Sequence, residues 1–90
     1  MLKIGDRVVV EKGCRARKVD SRTIARVHAI RELGAEYGHN VKVLLNFRTG
    51  SHAGTTLAFY ARHPNRLGDD LINLNDGQPE HKIQIRVVHI

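Results

Sequence analysis

A chain of 90 residues with 41% hydrophobic residues is one small domain with a core, and that core must be mainly aliphatic, because the aromatics are only two Tyr and two Phe. The composition excludes a disordered chain, no apolar run reaches bilayer length, no signal-peptide-like stretch follows the N-terminus, and the single cysteine, Cys14, excludes an intrachain disulfide, so a reducing, cytoplasmic compartment is expected. The formal net charge is +6 and it is one-sided: residues 1–31 carry nine basic and three acidic side chains, whereas residues 32–90 carry six of each.

Residues 2–10, LKIGDRVVV, predict a strand in which Val8, Val9 and Val10 follow a Gly5-Asp6 turn. Residues 11–21 read as a basic loop containing Gly13. Residues 22–32, RTIARVHAIRE, allow two readings. Ser21 as an N-cap and Gly34 as a stop suggest a helix, but the apolar residues scatter around a helical wheel. As a strand, Ala25, Val27 and Ala29 line one face, and Arg22, Arg26 and His28 the other. The strand fits better, with Ile24 and Ile30 left on the basic face. GAEYGHN (34–40) is expected to be a loop. VKVLLNF (41–47) alternates as a strand, RTGSHAG (48–54) is a loop, and TTLAFYA (55–61) is a strand with Leu57 and Phe59 on one face. RHPNRLGD (62–69) is expected to be irregular and DLINLN (70–75) a short strand. Asp76-Gly77 then marks a tight hairpin connection, and HKIQIRVVHI (81–90) is a last strand with Ile83, Ile85, Val87 and His89 on one side.

Five to six short strands in 90 residues make an all-β domain, and a small antiparallel barrel is expected because closure removes exposed strand edges. The residues at the front also resemble a known element. IGDRVVVEKG followed by TIARVHAI is similar to the opening of SH3-like barrels of the KOW and Tudor kind: Ile4, Gly5, Asp6, Val8, Val10 and Gly13 match its first part, and Val27 and Ile30 its second. The glycine usual before the second strand is replaced by Ser21-Arg22-Thr23, and the loop is longer. The resemblance covers the first third of the chain and implies a barrel of a type that often binds RNA, DNA or proteins.

The basic segment KGCRARKVDSRTIARVHAIR (12–31) is the candidate site. Lys12, Arg15, Arg17, Lys18, Arg22, Arg26, His28 and Arg31 offer charge and bidentate hydrogen bonds to phosphates. On one strand face Arg22, Arg26 and His28 would form a row with a repeat of about 6.6 Å. Tyr60 is a candidate stacking ring, with Tyr37 in a loop, while Phe47 and Phe59 are assigned to the core. Two rings are few for a single-strand platform, so a duplex or structured RNA fits as well. RTGSHAG could lie against phosphate as a mobile loop. The plainer account of the basic segment is a solvated loop. The expected partner is therefore DNA or RNA, held with weak sequence preference. The alternative is an acidic protein docked on the same face, as by a phage or mobile-element module, or paired to an exposed strand. A membrane partner is not expected, and a homodimer is compatible with the marginal size.

The remaining motifs point to no chemistry. Histidines 28, 39, 52, 63, 81 and 89 lack metal spacing, and no metal or cofactor is expected. Cys14 stands among Lys12, Arg15 and Arg17, which favours a thiolate; a plain, partly exposed cysteine is the simpler expectation. Asp69, Asp70, Asn73, Asn75 and Asp76 do not fit an EF-hand loop and read as turn residues or as an acidic counterpart to the basic face. GDRV with the later Ile83-Gln84-Ile85-Arg86 is similar to type II dihydrofolate reductases, SH3-like tetramers with a Val-Gln-Ile-Tyr strand in a central pore, but the tyrosine is missing and the spacing is far longer. With no nucleophile elbow, P-loop or dinucleotide fingerprint, a binding protein rather than an enzyme is expected.

Overall fold

The structure, a computed structural model, describes residues 2–34, 41–61, 71–78 and 80–88. Six strands, β1 (Arg7–Lys12), β2 (Ile24–Glu32), β3 (Val41–Phe47), β4 (Thr56–Ala61), β5 (Leu71–Asn75) and β6 (Lys82–Val87), follow one another around a closed antiparallel barrel in which β6 returns to pair with β1. The fold is all-β and compatible with an SH3-like barrel. Among the described residues no helix is long and apolar enough to cross a membrane.

Alternation builds the barrel. Along β3, Val41, Val43, Leu45 and Phe47 are buried while Lys42, Leu44 and Asn46 are partly exposed. β6 repeats the pattern with Ile83 and Ile85, β5 with Ile72 and Leu74, and β4 with Phe59 and Ala61. These side chains meet Val8, Val10, Ala25 and Val27 in one core. Phe47 and Phe59 stack edge-on, with ring centroids 6.4 Å apart.

The segment 22–32 is a strand, and its irregularity accounts for Ile30. Val27 pairs with Leu45 but Ala29 pairs with Leu44, so one extra residue, His28, is inserted opposite β3. This β-bulge reverses the alternation beyond it. Ile30 is thereby returned to the inner face, where it packs against the core, and Ala29 is turned out.

β1 starts later than expected. Residues 3–6 form a tight turn in which the Asp6 N–H donates to the Lys3 carbonyl and the Lys3 N–H donates back to Asp6 Oδ2 at 2.8 Å. Gly5 takes φ +92, a conformation costly for any residue with a Cβ. The Gly-Asp pair therefore makes a turn that lays the N-terminus beside β2, where the Gly5 N–H donates to the Val27 carbonyl, while Leu2 enters the core. β1 instead runs on through Glu11 and Lys12, shortening the basic loop.

The β5–β6 connection is longer than a tight hairpin. Asn75 pairs with Lys82, leaving residues 76–81 as the loop. Asn75 Oδ1 accepts from the Gly77 N–H and Asp76 Oδ1 from the Gln78 N–H. Tyr37, His39, His63, His89, Asp69 and Asp70, with most of the loops expected at 34–40 and 62–69, lie outside the described residues.

Candidate nucleic-acid interface

Because the strands alternate in direction, the loops β1–β2, β3–β4 and β5–β6 gather at one end of the barrel. The β1–β2 loop is a closed unit. Cys14 and Val19 exchange two backbone hydrogen bonds of 2.8 and 3.0 Å around a single 3-10 turn, Arg15–Arg17, and both side chains are buried. Cys14 is thus a core residue, 8% exposed, rather than partly exposed as expected, because the pairing with Val19 draws it inward.

Two basic residues of this loop hold left-handed backbone, Lys18 at φ 56 and Arg22 at φ 69. Such a conformation costs a residue with a Cβ about 1 kcal/mol, and glycine relieves it. The Lys18→Gly/Arg22→Gly double variant is therefore expected to raise the melting temperature by about 4–8 °C, through roughly 1 kcal/mol of net stabilisation. The same variant should bind a polyanion more weakly. Calorimetry beside a binding titration checks this, and a lower melting temperature would show that the two side chains serve the fold.

Arg17 is tied to the neighbouring loops, with its side chain still 38% exposed. Its Nε lies 3.2 Å from Asp76 Oδ2 without hydrogen-bond alignment, and its carbonyl accepts a 2.6 Å hydrogen bond from His52 Nε2. That bond sets the His52 tautomer, and His52 also packs on Phe47 with ring centroids 6.0 Å apart. Asp76 also accepts a hydrogen bond, of 2.9 Å, from His81 Nδ1 beside this ion pair. Three loops are thus clasped at one point, with Asp76 as the acidic counterpart to the basic loop. The Asp76 side chain is only 8% exposed. Burial alone would raise its pKa, but the hydrogen bonds from His81 and the Gln78 N–H, and the charges of His81 and Arg17, hold it below the ordinary 3.8. A depressed carboxylate stabilises the fold above its unfolded pKa, and that stabilisation is lost as the pH falls through the folded value. Asp76→Asn should accordingly lower stability near neutrality and flatten the loss below about pH 3.8, as read from melting temperature against pH.

The other basic residues fall into separate groups. Arg15 and Lys18 line a concavity of about 430 Å³ with Gly13, Asp20, Ser21 and Ser51. Arg26 and His28 line a cleft of about 330 Å³ on the barrel wall with Ile4, Gly5, Asn46 and Arg48. The expected row of Arg22, Arg26 and His28 is not formed, since Arg22 sits in a turn before β2 and His28 on the bulge. In its place β2 carries two cross-strand pairs of like charge on the outer face: Arg7 opposite Arg26, and Arg31 opposite Lys42. Lys42 is in turn opposite Tyr60, which places a half-buried ring one strand beyond the Arg31–Lys42 pair. Lys12 lies apart, on β1 opposite Gln84 of β6.

Like charges directly opposed destabilise a sheet by up to about 1 kcal/mol per pair. Among the described residues the ion pairs are Arg17–Asp76, His81–Asp76 and Arg86–Glu11, so Arg7, Arg26, Arg31, Lys42 and Arg48 have no carboxylate within 4.0 Å. Arg7, Lys42 and Arg48 were not among the candidates from the sequence. The outward position of Lys42 in the alternating strand 41–47 was the available signal.

In the strand Ile83-Gln84-Ile85-Arg86 both isoleucines are buried, the Gln84 amide donates to Asn73, and Arg86 donates to Glu11 at 2.9 Å. Both polar side chains are used within the sheet. Among the described residues no group of three His, Cys, Asp or Glu is placed to hold a metal ion.

The fold and the site together define a small, basic, closed β-barrel with a cationic wall that has no ion-pair partner among the described residues, and a clasped basic loop. No family model, curated protein or solved structure matches the chain.

Proposed function

We propose that the protein is a nucleic-acid-binding barrel of the KOW or Tudor kind that holds the phosphate backbone with weak sequence preference. One observation carries this reading: the two like-charged cross-strand pairs, Arg7–Arg26 and Arg31–Lys42, lack any carboxylate partner among the described residues. A protein kept soluble by its surface charges has no need to oppose them across a sheet. A polyanion removes the repulsion by bridging both members of each pair, and it releases its own counterions in doing so. Arg15, Lys18 and Arg22 extend the surface at the loop end, Tyr60 offers a ring beside Lys42, and Arg17 positions the loop through Asp76.

A second reading is a module that docks an acidic protein. What favours it is Ile4, 65% exposed and lining the same cleft as Arg26 and Arg48, since an apolar contact amid charge suits a protein partner. Fluorescence anisotropy with single-stranded DNA, duplex DNA and hairpin RNA at several salt concentrations separates the two. Binding whose logarithm falls linearly with the logarithm of salt, with a slope reflecting about four to six contacts, supports the first reading. Absence of binding to all three at low salt leaves the protein-docking module.

A further inference from the structure

The wall cleft differs from the concavity beside Arg15 and Lys18, whose lining includes Asp20. It is about 330 Å³ in volume, a size that accommodates a phosphate with its sugar. Arg26 and His28 enter it from β2 and Arg48 from the end of β3, with Arg7 directly across from Arg26. Among the described residues no acidic side chain lines it. His28 is the residue inserted by the bulge, a device that re-aims a side chain out of the regular ladder. Ile4 and Gly5 also line it, and Ile4 is apolar and open to solvent.

Charge matching identifies the ligand. An internal phosphodiester carries one negative charge, while a phosphate monoester carries about −1.5 to −2 at neutral pH and presents three acceptor oxygens. The two arginines that line the cleft match the charge of the monoester and exceed the single charge of one diester. An aliphatic wall beside the cations fits the carbon skeleton that bears the phosphate. We propose that this cleft is a seat for a terminal phosphate monoester, with Arg26 and Arg48 holding the phosphate, His28 completing its shell and Ile4 covering the attached sugar. The proposal rests on the nucleic-acid reading in taking a nucleotide as the bearer. The monoester is supplied either by the 5′ end of a strand or by a free nucleotide.

The test uses the whole protein and 3′-labelled single strands of one sequence, bearing either a 5′-phosphate or a 5′-hydroxyl. Anisotropy is read at fixed salt, and adenosine 5′-monophosphate is added separately while its ³¹P resonance is followed. A 5′-phosphate should tighten binding about tenfold. The Arg26→Gln/Arg48→Gln variant should abolish that difference, whereas Arg15→Gln/Lys18→Gln should weaken both strands alike and preserve the ratio. Unchanged melting temperatures show that these exposed substitutions spare the fold, and Arg26→Lys, which keeps the charge, should retain part of the preference. Equal affinity for the two strands with no shift of the nucleotide resonance overturns the seat and leaves the nucleic-acid reading standing. A shifted resonance that the double variant loses, with no binding of either strand, supports the seat as a free-nucleotide site and overturns the nucleic-acid reading instead.

Discussion

Gly13→Ala is expected to destabilise the fold by about 3 kcal/mol, lowering the melting temperature by roughly 12–24 °C in a domain of this size. A Cβ at position 13 would overlap the Val19 carbonyl oxygen and lie 3.0 Å from both the Asp20 carbonyl carbon and the Ser21 nitrogen. All three are backbone atoms, so no side chain can rotate away. Relief requires the two sides of the β1–β2 loop to separate, which breaks the pair of hydrogen bonds between Cys14 and Val19 and withdraws both from the core. Two hydrogen bonds at about 1 kcal/mol each, with the partial exposure of a valine, give the figure. Gly54→Ala is the matched control: its φ is +83 but nothing lies within 4 Å of the added methyl, so only the backbone cost of about 1 kcal/mol remains. Urea or thermal unfolding of the two variants measures the difference. Equal losses would mean that close packing at Gly13 contributes nothing beyond its conformation. Because Arg15 and Lys18 ride on the same loop, the Gly13 variant should also lose affinity at temperatures where it is still folded.

The parts of the fold legible in the sequence are those that depend on local alternation. Val41, Val43, Leu45 and Phe47 against Lys42, Leu44 and Asn46 needed only a period of two, and β3 matches residue for residue. The assignment of Phe47 and Phe59 to the core holds for the same reason. What escaped depends on pairing between segments. The bulge at His28 exists only relative to Leu44 and Leu45, so the run RVHAIR alone placed Ile30 on the wrong face. Arg17 looked like its basic neighbours because its partner, Asp76, belongs to a distant hairpin.

Charge shows the same dependence on pairing. Counting along the chain made residues 32–90 neutral, yet antiparallel pairing lays Lys42 against Arg31, while Arg48 joins Arg26 in the wall cleft. The electropositive surface is organised across strands, and a linear count cannot resolve it. The Gly-Asp of the first third was read correctly as a turn. That it precedes β1 rather than interrupting it follows from Asp6 bonding back to Lys3.

The largest functional effect is expected from neutralising the wall. The triple variant Arg7→Gln/Arg26→Gln/Arg48→Gln should weaken binding to nucleic acid by about two to three orders of magnitude at roughly 0.1 M salt. Each lost phosphate contact forfeits the release of about 0.9 counterion, so three contacts should also reduce the salt slope by about three on a duplex and about two on a single strand. Stability should move the other way. Removing the repulsion between Arg7 and Arg26 leaves the triple variant as stable as the parent or slightly more so, by up to about 1 kcal/mol, because neither residue has an ion-pair partner to lose among the described residues. Arg86→Gln/Lys82→Gln is the comparison away from the wall: it removes two charges from β6, against three from the wall, one of them tied to Glu11, and should change the salt slope by less than one. Anisotropy across a salt series, with melting temperatures alongside, reads all three quantities. A slope lowered by both sets in proportion to the charges removed, three to two, would mean that binding reports net charge alone, and that the opposed arginines on β1 and β2 define no surface.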